Sequence, residues 1–203
     1  SVVAFLSVER VRRSRLDAFT FDEFVEFDSD YGHAYRANSD AVRFTRDEVA
    51  RLGAVTTPVD LLAVVDRACT DVIATLPIMV ELAALTPGLR LSILPRTGAG
   101  ADLAELFRHE GVSKVPTYAV VDGSGEVLGL IVERTVAVGE RIAGFVAVLE
   151  ADGLFPVRES QRAEVMRRVV GHRSTLREIE RASIVAAVLQ MVGRPDGDGP
   201  AGA

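Results

Sequence analysis

The chain has 203 residues, 48% of them apolar and 26% charged, enough to bury the core of one large domain or of a domain with extensions. A net charge of −6 argues against a general nucleic-acid binder, which carries a basic face. The single cysteine, Cys69, excludes an intrachain disulfide and a cysteine-built structural zinc site.

The apolar segment 2–8 precedes Arg10, Arg12 and Arg13, the reverse of the order in a signal peptide. No stretch reaches the roughly eighteen uninterrupted apolar residues of a membrane-spanning helix. A soluble, cytoplasmic protein that engages no membrane and no nucleic acid is expected. Lys114 is the only lysine among 23 basic residues, a bias that points to a GC-rich genome and carries no functional meaning.

Residues 1–55 read as an N-terminal helical extension. FTFDEFVEF spaces Phe21, Phe24 and Phe27 three apart, one apolar helix stripe, and a polar loop is expected over 28–40. TRDEVARLG has the form of a capping box, Thr45 with Glu48, closed by Gly53. After Pro58 the pattern changes. VDLLAVVD (59–66) is a short apolar run, as in a strand covered on both faces, and a helix follows over 70–86 with Ile73, Leu76 and Val80 on one side. LRLSIL (89–94) is a second strand and ADLAELFRHE (101–110) a second helix. TYAVVD and EVLGLIVE flank GSG as a hairpin, and a helix over 138–150 closes the section. This β-α-β-α-β-β-α order over 56–150 predicts a mixed sheet with helices on both faces. Residues 151–193 form a C-terminal helical extension, with helices at 161–170 and 175–192 and apolar positions such as Ile179, Ile184 and Val188 at helical spacing. The last ten residues, 194–203, lack apolar bulk and read as a disordered tail.

Several residues in this order match a known pattern. Cys69 stands where the first core strand gives way to a helix, and Pro77 follows eight residues later. GVSKVPT (111–117) fits the Gly-Val-x-x-x-Pro-Thr segment whose proline, here Pro116, has a cis peptide bond and faces the cysteine. The chain therefore resembles the thioredoxin-fold proteins over residues 56–150. More narrowly it is similar to a bacterial thioredoxin-like family with a Cys-x-Asp-Cys, Cys-x-Asp-Ser or Cys-x-Asp-Ala motif before a Leu-Pro-containing helix. CTDV and Leu76-Pro77 keep part of that pattern, and VERT (132–135) resembles the Glu-Arg segment of its last strand. The resemblance implies an α/β fold: a thioredoxin-like three-layer α/β/α sandwich with a mixed central sheet, plus N- and C-terminal helical extensions. It also implies a site of Cys69 as nucleophile with Thr70, Asp71, Val115 and Pro116 around the substrate, no metal and no cofactor. The partner would be a protein or a low-molecular-weight thiol or disulfide.

The departures concern the chemistry. Val72 stands where a second cysteine would be, and valine cannot resolve a mixed disulfide. The family's buried acid would fall at Ala63, and Arg67-Ala68 offers no aromatic before the cysteine. A helix N-terminus stabilises a thiolate at Cys69, while Asp71 in the same turn opposes it. The plainer reading is a buried cysteine that acts as a small apolar filler, but its place at the turn before the helix favours exposure. Two readings stay open: a monothiol exchange protein, and a fold kept as a redox-inactive scaffold. A peroxidase ranks last, because Asp66 stands where a peroxide-binding threonine is needed.

The remaining candidates are weaker. RTGAGADL (96–103) has Gly98 and Gly100 but Leu103 in place of a third glycine, so a βα turn is expected and no nucleotide. His33, His109 and His172 show no paired metal spacing and read as surface histidines. RRVVGHR (167–173) reads as a solvated helix face. Ile184, Val185, Val188 and Leu189 offer either a homo-oligomer or partner surface on the terminal helices or a face packed on the core.

Overall fold

Strand β1 (Val59–Val65) is buried at every position, as its unbroken apolar run requires. In the computed structural model, which describes residues 5–26 and 28–193, it lies inside a four-stranded sheet. β1 pairs in parallel with β2 (Leu89–Pro95) and antiparallel with β3 (Thr117–Asp122). β3 pairs antiparallel with β4 (Val127–Val132), giving the order β2-β1-β3-β4. Among the described residues, four helices precede the sheet: α1 (Val8–Asp17), α2 (Phe21–Val25), α3 (Gly32–Ala41) and α4 (Arg46–Gly53). α5 (Thr70–Leu85) follows β1, α6 (Ala101–Leu106) follows β2, and α7 (Val136–Ala151), α8 (Arg162–Thr175) and α9 (Arg177–Val192) follow the hairpin. The result is a mixed sheet between two helical layers with helical extensions.

The period of two along β1 sorts its side chains between two cores. Leu61, Ala63 and Val65 face Val72, Leu76 and Met79 of α5, with Tyr35 of α3, Leu52 of α4 and Ile184, Val185 and Val188 of α9. Leu62 and Val64 face the other way, onto Val11 of α1 and Leu103 and Ala104 of α6. Burying each Leu, Ile or Val contributes roughly 1.5–3 kcal/mol.

Three elements differ from the sequence reading. Helix α3 occupies most of the stretch expected to be a polar loop. Its anchor is Tyr35, fully buried and met edge-on by Phe21 and Phe24 at 6.1 and 6.3 Å between ring centres. One aromatic in ten mostly polar residues gives too little periodicity to show as a helix. α6 ends at Leu106 rather than at residue 110. α7 begins at Val136 and buries only Val138 and Leu149, so it covers the sheet poorly. The layer it was expected to fill belongs to α9, whose Ile184, Val185 and Val188 are each 1% exposed. Those residues serve the core, and Leu189 packs beside them. Phe27 and the tail 194–203 lie outside the described residues.

Two contacts tie the chain's start to the sheet. Gly125, at φ 95° in the hairpin turn, accepts the Leu6 N–H at 2.8 Å, and a Cβ there would stand 1.9 Å from the Leu6 carbonyl oxygen. Only glycine fits that approach. Arg15 of α1 donates from Nε and Nη2 to both oxygens of Asp60 at 2.7 and 2.6 Å, and the Asp60 side chain is 3% exposed. Arg15→Ala strands that buried carboxylate, and chemical denaturation is expected to show a loss of roughly 3–5 kcal/mol. Arg15→Lys keeps the charge without the fork and is expected to lose less.

Candidate functional site

Between β1 and α5 the chain makes a tight turn at 66–69. The Asp66 carboxylate accepts the Ala68 N–H at 3.0 Å, and the Cys69 N–H donates to the Asp66 carbonyl at 3.1 Å. This local bonding stops the strand and sets the helix start. The N-terminal helices then hold the turn from outside. Arg67 donates to the Phe24 carbonyl at 2.5 Å and to Glu26 at 2.9 Å, and its own carbonyl accepts the Tyr35 hydroxyl at 3.0 Å. Burial pushes the Tyr35 phenol well above its ordinary range, and the nearby thiol adds to the shift. The sequence offered no hint of this support, because Arg67 and Phe24 are 43 residues apart.

Cys69 is the N-cap residue of α5 and is half-buried. Its Sγ donates to the Val115 carbonyl at 3.5 Å. The Val115–Pro116 peptide bond is cis. Val115 is half-buried, Pro116 buried and Thr70 exposed. The turn and the segment before β3 therefore meet across 46 residues of sequence at the sulfur. Pro77 sits buried inside α5.

Asp71 is placed differently from the expectation of an open acid beside the substrate. Its side chain is 11% exposed and turned inward, hydrogen-bonded by Arg134 and held by Arg173 Nη2 at 2.9 Å. The same Arg173 nitrogen reaches Glu180 at 2.6 Å, and the Glu180 side chain is 2% exposed. Two buried acids and two half-buried arginines, from α5, the segment after β4, α8 and α9, thus close a quartet behind the Cys69 turn. Asp71's charge is taken up by two guanidiniums, so the repulsion it was expected to exert on a thiolate is offset. Burial pushes the Glu180 carboxyl up to about 7, the Arg173 charge pulls it down, and the Asp71 charge pushes it further up. Arg134 loses hydration, yet the hydrogen bond it donates to Asp71 wins and holds it above its ordinary range; Cys69 lies close enough to act on the same group.

RRVVGHR is thus no solvated face throughout. Arg173 is drawn inward, and the His172 ring stacks on Phe145 with centres 4.1 Å apart and planes at 7°. His33 and His109 are exposed. Beneath the quartet, Tyr118 and Thr75 share a hydroxyl contact at 2.7 Å, and Thr75 donates to the Asp71 carbonyl at 2.6 Å. Burial raises the Tyr118 phenol far above its usual range, against the bond to Thr75. Tyr118 lies across the sheet from Ala63, the position where the resemblance calls for an acid. Val72, in the second cysteine's place, is fully buried.

The glycine-bearing loop before α6 has a packing reason. A Cβ on Gly100 would lie 2.8 Å from the Leu94 carbonyl oxygen. Among the described residues, no group of three or more His, Cys, Asp or Glu side chains is gathered as metal ligands, and no helix is long and apolar enough to cross a membrane.

The thioredoxin family matches residues 18–147, a span that opens within the stretch set aside as an N-terminal extension. Among solved structures, the chain is similar to a protein of unknown function from Pseudomonas aeruginosa. The two are 18% identical with a TM-score of 0.63, over 88% of this chain and 94% of that one. It is also similar to an HIV epitope-scaffold, 17% identical with a TM-score of 0.59, over 89% of this chain and 96% of that one. At such identities the likeness is one of fold. No curated protein matches the chain.

Proposed function

The chain belongs to the thioredoxin family, and from that premise we propose that it is a single-cysteine thiol-exchange protein with Cys69 as its nucleophile. The observation that carries the reading is the half-buried Sγ at the start of α5, 3.5 Å from the Val115 carbonyl oxygen. The free N–H groups and dipole of the helix end favour negative charge there. In the reaction, the Cys69 thiolate forms a bond to one sulfur of a disulfide, whose other sulfur leaves as a thiolate. A second, external thiol then attacks the mixed disulfide and returns Cys69. With Val72 in place of a resolving thiol, no dithiol reductase cycle runs within one chain. Thr70, Val115 and Pro116 flank the incoming disulfide, while Asp71 acts behind it by holding Arg134 and Arg173. The reading places the protein in the cytoplasm, where small thiols are kept reduced. Its partners are low-molecular-weight disulfides or proteins bearing one.

Exposure of the native protein to glutathione disulfide tests this. One half-disulfide adduct is expected by intact mass, stable after removal of small molecules, released by added thiol and absent in Cys69→Ser. A native chain that forms no adduct, although the unfolded chain does, would sink the reading.

One observation favours the alternative, a redox-inactive scaffold: the Cys69 S–H is engaged by the Val115 carbonyl, which also occupies a backbone acceptor at the site. In that case Cys69→Ser leaves partner binding intact.

A further inference from the structure

Farther along α5 from the cysteine, a cleft of about 120 Å³ opens between α3, α5 and α9. Its floor is apolar: Ala74 and the nearly buried Ile78 of α5, with Ala41 and Val42 at the end of α3. Its rim carries three arginines and one acid, Arg43, Arg177, Arg181 and Glu178. Arg181 is already engaged, donating to the Glu48 carboxylate at 3.2 Å and to the Arg43 carbonyl at 2.7 Å. The other two cations pair with no acid among the described residues. Arg43 reaches only the carbonyl of its neighbour Val42 at 2.6 Å, and Arg177 makes a long bond of 3.4 Å to Asn38 Oδ1. Among the described residues, neither has a carboxylate oxygen within the 4.0 Å of an ion pair.

We propose that this cleft binds a small amphipathic monocarboxylate. The head lies between Arg43 and Arg177, and the short apolar tail lies on Ala74 and Ile78. Guanidinium forks match carboxylate geometry, and an apolar floor rejects an ion such as free phosphate that has no apolar part. Glu178 repels a second negative charge, which selects a monoanion over a dianion. The volume fits a tail of about four to six carbons, since a cavity of about 150 Å³ accommodates benzene. The ligand site is independent of Cys69 chemistry: it uses none of the residues around the sulfur.

Calorimetric titration of the full chain with sodium hexanoate tests the assignment. Saturable binding is expected, at least tenfold weaker for hexanol and for hexylamine. The double change Arg43→Gln, Arg177→Gln is expected to weaken hexanoate binding at least tenfold. Ala74→Leu, which fills the floor without touching a charge, is expected to abolish it. The charge variant and the filling variant perturb different parts of the cleft, so a folding defect in one leaves the other decisive. Absence of saturable binding to the native chain would overturn the proposal. So would equal affinity for hexanol, or hexanoate binding that survives Ala74→Leu.

Discussion

Asp71→Ala is expected to destabilise the protein by roughly 3–5 kcal/mol, the cost of removing one partner from a buried ionic group. The carboxylate accepts a hydrogen bond from Arg134 and pairs with Arg173; without it Arg134 has no acid partner among the described residues and Arg173 keeps Glu180 alone. Arg173 Nε and Nη1 and Arg134 Nε already lack partners while buried, so no alternative acceptor stands ready to take them. Urea denaturation followed by circular dichroism measures the loss. Asp71→Asn keeps the shape and one acceptor oxygen and is expected to fall between the two. A loss below about 1 kcal/mol for the alanine variant would mean that the quartet is hydrated and contributes no more than a surface pair.

The second large effect is a dependence of stability on pH that comes from Glu180. Unfolded, a glutamic acid titrates near ~4.3; folded, this one is pushed up to about 7, by burial above all. Between those values the folded chain keeps a proton that the unfolded chain has released. Stability is therefore full below the unfolded value and declines as pH rises through about 7, where the decline ends, a total on the order of 3 kcal/mol. Glu180→Gln removes the titrating group, and its stability should stay flat across this window. Acids held low act in the opposite direction and at lower pH. At Asp122 burial works against the charge, but hydrogen bonds from Ser124, Glu126 and Gly125 outweigh it, so its contribution is lost only on strong acidification. Melting curves from pH 4.5 to 8 for the native chain and Glu180→Gln check this; parallel curves would contradict it.

Much of the fold was legible because its strands are short apolar runs bounded by turn residues and its core helices carry clear apolar spacing. β1, α5 and the GSG hairpin are of this kind. What periodicity does not state is which layer a helix joins. The pattern of α9 was visible as a helix, but its place on the sheet depends on Ile184, Val185 and Val188 meeting β3 and β4, a contact formed over more than fifty residues of chain. α3 was missed because a single buried tyrosine anchors it. At the site, the Cys69–Pro77 spacing and the GVSKVPT segment carried the resemblance to thioredoxin-fold proteins, and it was that resemblance which implied the juxtaposition of the cysteine with Val115 and Pro116. The quartet behind it was not readable. Arg134 lies 63 residues from Asp71, and Arg173 sits in a basic segment whose composition is that of a solvated face. A buried charge pair leaves no periodic trace, since each member is a lone polar residue until the chain brings them together.

Exchange chemistry at this site requires Cys69 to be open to reagents in the folded protein. The most direct measurement is its rate of alkylation by iodoacetamide at neutral pH, read by intact mass, in the native state and in urea. Native labelling is expected within about an order of magnitude of the unfolded rate or faster, as for an accessible thiol at a helix start. Labelling that appears only on unfolding would show a thiol that fills space, and the fold would then be a scaffold without exchange chemistry.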